Sequence, residues 1–415
     1  MMIKIKTVNL TLLSTSLILF LTAWNAQAQS NLKNINQSLR YSRYSRISPK
    51  IIPIKTGERK FLLQMPVEKI EESPNFDDYA FSYVVVEDFE EEINEKNIVP
   101  LTSSDLTKDT DRHFYFEKSV TIPTDQQEAY AVIICKDTRQ GDQYVYHADL
   151  ISPFIADIPG FGAYYDNDIP FDQTFINKGE ALLFKSGKSL NFYNYFYPQD
   201  FEIPLPPMET RPAPVAKDIQ VIDNGEFLVN VPQPFEEEGY YFVQTDTTEQ
   251  TGFMVKATSA AYPRVSTYDE MIDKLVYIST RNEHEALRAA EDKKKALDQY
   301  WLELTHDTEK AQGIIREYFR QIEFANILFT DFKEGWKTDR GMIYTVMGPP
   351  ASVFFDADKE IWIYAKIGSK SKISFTFARI RNIFTPNYYK LNRSRSYQPE
   401  WFQSITLWRS GKMAF

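Results

Sequence analysis

The sequence predicts a multidomain protein: two N-terminal antiparallel β-sandwich-like domains, then an α+β C-terminal domain with helices first and a small antiparallel sheet after them. Runs rich in β-branched and aromatic residues fill the chain up to about residue 262. Clusters of Gly, Pro, Asn and Asp punctuate those runs as turns do. Beyond Pro263 the apolar spacing changes from two towards 3.6. The 415 residues, 43% hydrophobic and 15% aromatic, are enough for two or three domains with substantial cores.

Residues 1–28 have the order of an export signal: Lys4 and Lys6, an apolar run from Leu10 to Ala23, then Ala26-Gln27-Ala28. The run is short for a membrane span, and no later segment approaches 18 consecutive apolar residues, so no transmembrane segment is expected once the signal is removed. The mature chain is expected to be exported, periplasmic or associated with the outer membrane. The one cysteine, Cys135, lies in an apolar strand-like run far from the cleavage site. Neither lipidation at the new N-terminus nor an internal disulfide is therefore available, and Cys135 reads as a buried thiol.

Residues 29–50 form a polar leader with no apolar periodicity, expected to be disordered, although Arg40, Arg43 and Arg46 interleaved with Tyr41 and Tyr44 could meet an anionic surface. Residues 51–153 read as the first sandwich. Its strands are Ala80–Val86, His113–Phe116 and Ala129–Ile134, and Gln140-Gly141-Asp142 turns the last of these back into Tyr144–Tyr146. Residues 154–262 read as the second, with strands at 180–184, 190–195, 219–222 and 239–244. Asp223-Asn224-Gly225 is its hairpin turn signal, and the prolines between 198 and 214 make an extended loop.

From residue 263 to residue 415 the chain reads as the α+β domain. Thr267 and Glu270 form a capping box ahead of Met271, Leu275 and Ile278. A second helix is expected over about 283–304 and a third over about 307–329, the latter with a broad apolar face. Thr338 or Asp339 can cap a short helix that Gly348 ends and Pro349-Pro350 keep from continuing. Strands are expected at 354–355, 361–364 and 374–377.

Charge and chemical motifs exclude several functions. A net charge of −10 argues against a nucleic-acid partner. The charge is uneven: beyond Trp362 ten Lys and Arg residues face Glu400 alone, a basic region that could meet an acidic envelope surface. His284-Glu285-Ala286-Leu287-Arg288 starts like a zinc-protease motif but has Arg where the second ligand belongs. Gly187-Lys188-Ser189 lacks the earlier glycine of a phosphate loop, and Ser369-Lys370-Ser371-Lys372 falls in a polar strand connection. Four histidines leave little for a Ser-His-Asp site, so no metal and no cofactor is expected. Among the 57 acidic residues, Glu323 and Asp339 are the pair to weigh as catalytic carboxylates.

One segment is specific. Tyr318 to Asn326, then Phe329, then Gly335-Trp336-Lys337-Thr338-Asp339-Arg340-Gly341, then Gly348-Pro349-Pro350, resembles the GWxTD-domain family of exported bacterial envelope proteins. The resemblance implies lineage and compartment but no reaction. The signature residues to place are Gly335, Trp336, Thr338, Asp339, Arg340, Gly341, Gly348, Pro349 and Pro350, together with Trp362 and Tyr364 on the following strand. Trp336 is expected as a core anchor against the third helix, ahead of a hot spot that fills a partner's pocket, and Asp339 and Arg340 as a cap and a structural ion pair, ahead of an acid and a cation in a cleft. The functional expectation is a non-enzymatic interaction or assembly module whose C-terminal domain binds another periplasmic or outer-membrane protein. The alternatives are a carboxylate-dependent hydrolase of envelope polysaccharide, or a chaperone-like protein that captures extended peptides at a sandwich edge.

Overall fold

Strand Tyr130–Asp137 is apolar along nearly its whole length because it serves two cores at once. Ala131, Ile133 and Cys135 point into the first sandwich. Tyr130, Val132 and Ile134 point the other way, into the core of the C-terminal domain. Alternation along a strand sends neighbours to opposite faces, so a sheet covered on both sides needs continuous apolar runs. In this computed structural model the described residues are 30–70, 74–188, 191–198, 200–211, 220–248, 252–365 and 371–413. The expected signal, Ile219, Pro212, Pro214 and Ser369-Lys370 lie outside them.

The shared sheet has the strand order Gln143–Asp149, Tyr130–Asp137, Tyr79–Val86, Val99–Leu101, all antiparallel, with Val132 opposite both Val84 and His147. Its partner in the first sandwich is built on Lys60–Lys69 and His113–Thr121, flanked by Ile47–Pro49, Ile52–Gly57 and Leu106–Asp109. The Gly141 turn is present, with φ +80°. Cys135 is fully buried and burial pushes its thiol pKa far up, which leaves it a small hydrophobe.

The second sandwich sets Gly162–Tyr164, Ala181–Lys185 and Pro232–Pro234 against a five-stranded sheet. That sheet runs Phe175–Asn177, Phe253–Thr258, Gly239–Gln244, Asn191–Tyr197, Asp223–Leu228, and only its first pair is parallel. Leu182, Phe184, Phe192, Phe235, Val243 and Val255 fill the space between. One turn expectation is corrected here. Asp223-Asn224-Gly225 is not a hairpin turn but the start of the edge strand, with Gly225 opposite Asn194. An edge strand tolerates these residues because one side of it has no ladder to complete. The turn falls instead at residues 229 and 230, where Asn230 takes φ +58° and the chain crosses to strand Pro232–Pro234 of the three-stranded sheet.

The C-terminal domain contributes α1 (Tyr268–Lys274), α2 (Arg281–Ala289), α3 (Lys293–Thr305), α4 (Thr308–Phe329), α5 (Asp339–Met347) and α6 (Gln398–Arg409). Thr267 and Glu270 make the reciprocal capping box. The single helix expected over 283–304 is two, because Ala290 leaves helical geometry and Asp292 starts α3 by accepting from Lys295 N at 2.9 Å. The sheet runs Ser352–Asp356, Lys359–Ala365, Lys372–Arg379, Tyr389–Leu391. The last strand and α6, whose Trp408 packs on Tyr318 of α4 and donates to Val346 O of α5 at 3.0 Å, were not anticipated from sequence.

The leader is also corrected. Residues 30–46 are not disordered: Leu32, Ile35 and Tyr41 are buried in the core of the C-terminal domain, more than 300 residues away in sequence. Gln37 N donates to Val353 O at 2.8 Å, and Tyr344 Oη donates to Tyr41 O at 2.9 Å. Arg43 pairs with Glu317 on α4. The segment looked featureless because its apolar residues are spaced for a surface that another part of the chain supplies.

Candidate functional site

The signature lies where α4, a short 3-10 turn at Gly335–Lys337 and α5 converge. Two of its glycines are required by close approach. A Cβ on Gly335 would lie 2.0 Å from Ala325 O, and one on Gly341 would lie 1.9 Å from Gly335 O. The turn thereby settles directly on α4 and on the first turn of α5. Asn326 of α4 stitches it in place: its Nδ2 donates to Pro263 O at 2.9 Å and its Oδ1 accepts from Trp336 N at 3.2 Å. Gly335 N donates to Thr330 Oγ1 at 3.0 Å.

Trp336 is 2% exposed and packs edge-on to Tyr277, whose hydroxyl donates to Trp336 O at 2.7 Å. Its indole N–H donates to Glu334. It is a core anchor. Thr338 caps α5, accepting from Gly341 N at 2.9 Å while its own hydroxyl donates to Gly335 O at 2.8 Å. Gly348 ends that helix with φ +79°, and Gly348 O accepts from Tyr364 Oη at 2.8 Å. Pro349 and Pro350 follow in the non-helical link to strand Ser352–Asp356.

The two charged signature residues go to different partners. Asp339 accepts from Leu391 N at 2.8 Å and from Arg393 Nη2 at 2.5 Å. Arg340 donates to Glu360 Oε2 at 3.1 Å and to Asn387 O at 2.8 Å, with its guanidinium 4.5 Å from the Tyr389 ring centre. Burial works against the Arg340 charge, but Glu360, together with Tyr41, Tyr389 and Asp331, outweighs it and holds the pKa above the ordinary arginine range. Glu360 is wholly buried and also accepts from Trp362 Nε1 at 2.5 Å, so Trp362 serves the ion pair as well as the core.

The signature also holds the proline-rich loop. Lys337, at the variable position, donates to Asp200 Oδ2 at 2.5 Å. Arg393 donates to Leu205 O at 2.9 Å, and Ser394 N donates to Pro207 O at 3.1 Å. Around Trp336 several charges sit in little water: burial pushes Lys256, Lys274 and Lys333 down from the ordinary lysine range and pushes Asp331 up to about 6.

Residues 239–410 match the GWxTD domain. The chain carries a GWxTD domain. The matched segment opens at Gly239, so the GWxTD domain as a sequence unit takes in strands Gly239–Gln244 and Phe253–Thr258 of the second sandwich ahead of the helices. No curated protein matches the chain.

The carboxylates weighed as a catalytic pair are not brought into one constellation. Glu323 pairs with Arg264 at 3.3 Å on the outer side of α4, whereas Asp339 is buried against Arg393. His284 makes a 3.0 Å hydrogen bond with Ile272 O, and Arg288 pairs with Asp273 at 3.3 Å, so both ends of the zinc-like motif have structural partners. Among the described residues no group of three or more His, Cys, Asp or Glu side chains is placed to hold a metal ion. No described helix is long and apolar enough to cross a membrane. Three cations of the basic C-terminal region face inward: Arg379 towards Asp149 at 3.9 Å, Arg393 to Asp339 and Arg409 to Glu283 at 2.8 Å. Sequence reasoning missed Glu360, and also Tyr262, whose hydroxyl accepts from Gly335 N at 3.4 Å and bonds with Thr330 Oγ1. The signal for Glu360 was a lone acid two residues before Trp362 in an otherwise apolar strand.

Proposed function

We propose that this GWxTD-domain protein is a non-enzymatic interaction or assembly module of the cell envelope, and that its C-terminal domain binds another periplasmic or outer-membrane protein. The observation that carries the reading is the internal commitment of the signature. Trp336, Thr338, Asp339 and Arg340 each bond to this chain's own groups. A motif used in this way builds a rigid platform, and rigid elements are what a binding surface needs beneath it. The export-signal order of residues 1–28 and the family resemblance support the compartment. On the outer side of the helices, Leu302, Ile327 and Phe402 are exposed apolar residues available to a partner.

The open edge strand Asp223–Leu228 favours peptide capture as a second reading. Among the described residues it pairs only with Asn191–Tyr197, and Ile222 and Leu228 are exposed. The test uses the full chain crosslinked in its native envelope. Ile327→Glu and Phe402→Glu are expected to lose a discrete crosslinked partner while leaving Tm unchanged. Loss caused instead by Glu226→Pro on the edge strand would move the role to peptide capture. Recovery of the native protein as a monomer with no crosslinked species would end both readings. Trp336→Ala is unsuitable here, because removing a buried Trp costs about 3–5 kcal/mol of stability.

A further inference from the structure

The first sandwich, the second sandwich and the C-terminal domain meet around a partly open cavity of about 330 Å³. That volume is at the lower end of the range for small-molecule sites, and aromatic side chains with a few polar groups, the usual composition of such sites, line this one. What distinguishes it is a cation with nothing to pair with. The Arg40 guanidinium lies 4.1 Å from the Tyr146 ring centre and 5.1 Å from that of Phe355, and among the described residues it has neither a hydrogen bond nor an ion pair. Two aromatic faces hold a planar cation in position and leave its N–H fork unused.

Beside it, Arg379 is half engaged. Its Nε donates to Pro386 O at 2.9 Å, and its Nη1 reaches Asp149 only at 3.9 Å. His147 lies between Phe355 and Phe89, with ring centres 4.9 and 5.3 Å away, and its buried Nδ1 has no partner. Burial, then Arg40 and Arg379, push the imidazole pKa well below its ordinary value, so the ring is neutral. The carboxylates of the cavity are already occupied. Asp172 is matched by Lys50, whose Nζ donates to Asp172 O at 2.8 Å, and accepts from Tyr165 Oη at 3.1 Å; Asp356 pairs with Lys359 at 3.3 Å, and Asp149 faces Arg379 and accepts from Ile151 N at 2.9 Å. Arg340 reaches the same cavity with its charge matched by Glu360. The surplus is therefore about one positive charge, on Arg40, next to a neutral donor and an apolar wall.

We propose that this cavity binds a small organic monocarboxylate, its anionic head held by Arg40 and Arg379 beside His147 and its apolar body lying against Phe355 and the surrounding aromatic rings. A single surplus charge matches a monoanion better than a phosphate dianion, and the guanidinium fork matches the planar carboxylate. The site is separate from the protein-binding surface proposed above and stands or falls independently of it.

The test is calorimetric titration and thermal unfolding of the full chain with octanoate, octanol and inorganic phosphate as probes. Octanoate is expected to bind saturably and to raise Tm with concentration, while octanol and phosphate bind at least about tenfold more weakly. Arg40→Met is expected to weaken octanoate at least about tenfold and to leave the ligand-free Tm nearly unchanged, since Arg40 has no hydrogen bond or ion pair to lose and Met keeps an apolar contact with the Tyr146 and Phe355 rings. Equal effects of octanol and octanoate, tighter binding of phosphate, absence of saturable octanoate binding, or an undiminished response in Arg40→Met would each overturn the proposal. Should Arg40→Met lower the ligand-free Tm, the preference of the native protein for octanoate over octanol still decides.

Discussion

The signature turn and the cavity beside it share Arg340 and differ in how their polar groups are treated. Around residues 335–341 backbone and side-chain groups alike are turned inward, from the Thr338 cap to the bonds of Asp339 with Arg393. In the cavity, among the described residues, Arg40 has no ion pair and His147 has a buried nitrogen without a partner. Polar groups left unmatched in low dielectric are costly, so a chain retains them where something else supplies the match. The contrast teaches that a conspicuous motif can mark architecture, while the groups free to meet a ligand come from scattered and inconspicuous positions.

The contrast can be broken most forcefully at the turn. Gly341→Ala places a Cβ 1.9 Å from Gly335 O, and backbone cannot yield as a side-chain tip can. The expected loss exceeds about 4 kcal/mol in urea unfolding, or soluble protein is not obtained. A stability close to that of the native protein would show that the turn can open.

Next in size is the buried ion pair. Arg340→Met leaves Glu360 charged, fully buried and without its cation, and is expected to cost about 3–5 kcal/mol. Adding Glu360→Gln, which keeps the bond from Trp362, should recover part of that loss in a double-mutant cycle. Purely additive losses would mean that the pair is not coupled.

Asp331 gives a pH signature. Its pKa is about 6 in the fold against an ordinary 3.8, and burial is the cause. A pKa raised by folding makes stability greatest below the lower value and diminishes it as pH rises through the higher one. Between about pH 4 and pH 6 the native protein is expected to lose up to about 3 kcal/mol from this group. Asp331→Asn retains the oxygen that accepts from Lys333 N at 3.1 Å and should remove this part of the slope, making the variant the more stable protein at pH 7. Parallel pH profiles for the two proteins would refute the assignment.

The smallest effect is the control for the first. Gly313 lies within α4 with nothing within 4 Å of its missing Cβ. Gly313→Ala is expected to stabilise by up to about 1 kcal/mol, and Tm measured beside Gly341→Ala separates a glycine required by contact from one that is not.

Much of the architecture was legible. Alternating aromatic and β-branched runs located both sandwiches, and the caps at Thr267 and Thr338 placed α1 and α5 because N-cap chemistry is local. Non-local structure was not legible. Leu32, Ile35 and Tyr41 carry no period of their own, and their partners lie at the far end of the chain. Asp223-Asn224-Gly225 has turn chemistry, but its position at a sheet edge decided its conformation. Trp336 could be read as a core anchor from its type and neighbours. Arg40 and Arg379 could not be associated, because nothing in their spacing foretells that three domains bring them to one cavity.

The tie between residues 30–46 and the C-terminal core has a consequence for the order of synthesis. Residues 30 and 31 pair with the nearby Glu92–Ile93, but Tyr41 and Tyr344 are separated by 303 positions, so Tyr41 is made long before the helix that receives it. Closing a loop of that length carries an entropic cost of about 5 kcal/mol, which Leu32, Ile35 and Tyr41 must outweigh together when they dock. Until residues beyond Val353 have been made, the outer face of strand Tyr130–Asp137 and the leader's apolar side chains have only Phe89, Ile93 and each other for cover and lack the C-terminal half of their core. A nascent chain stalled short of that point would present both to its surroundings, so the last hundred residues also act as the latch that closes the first domain.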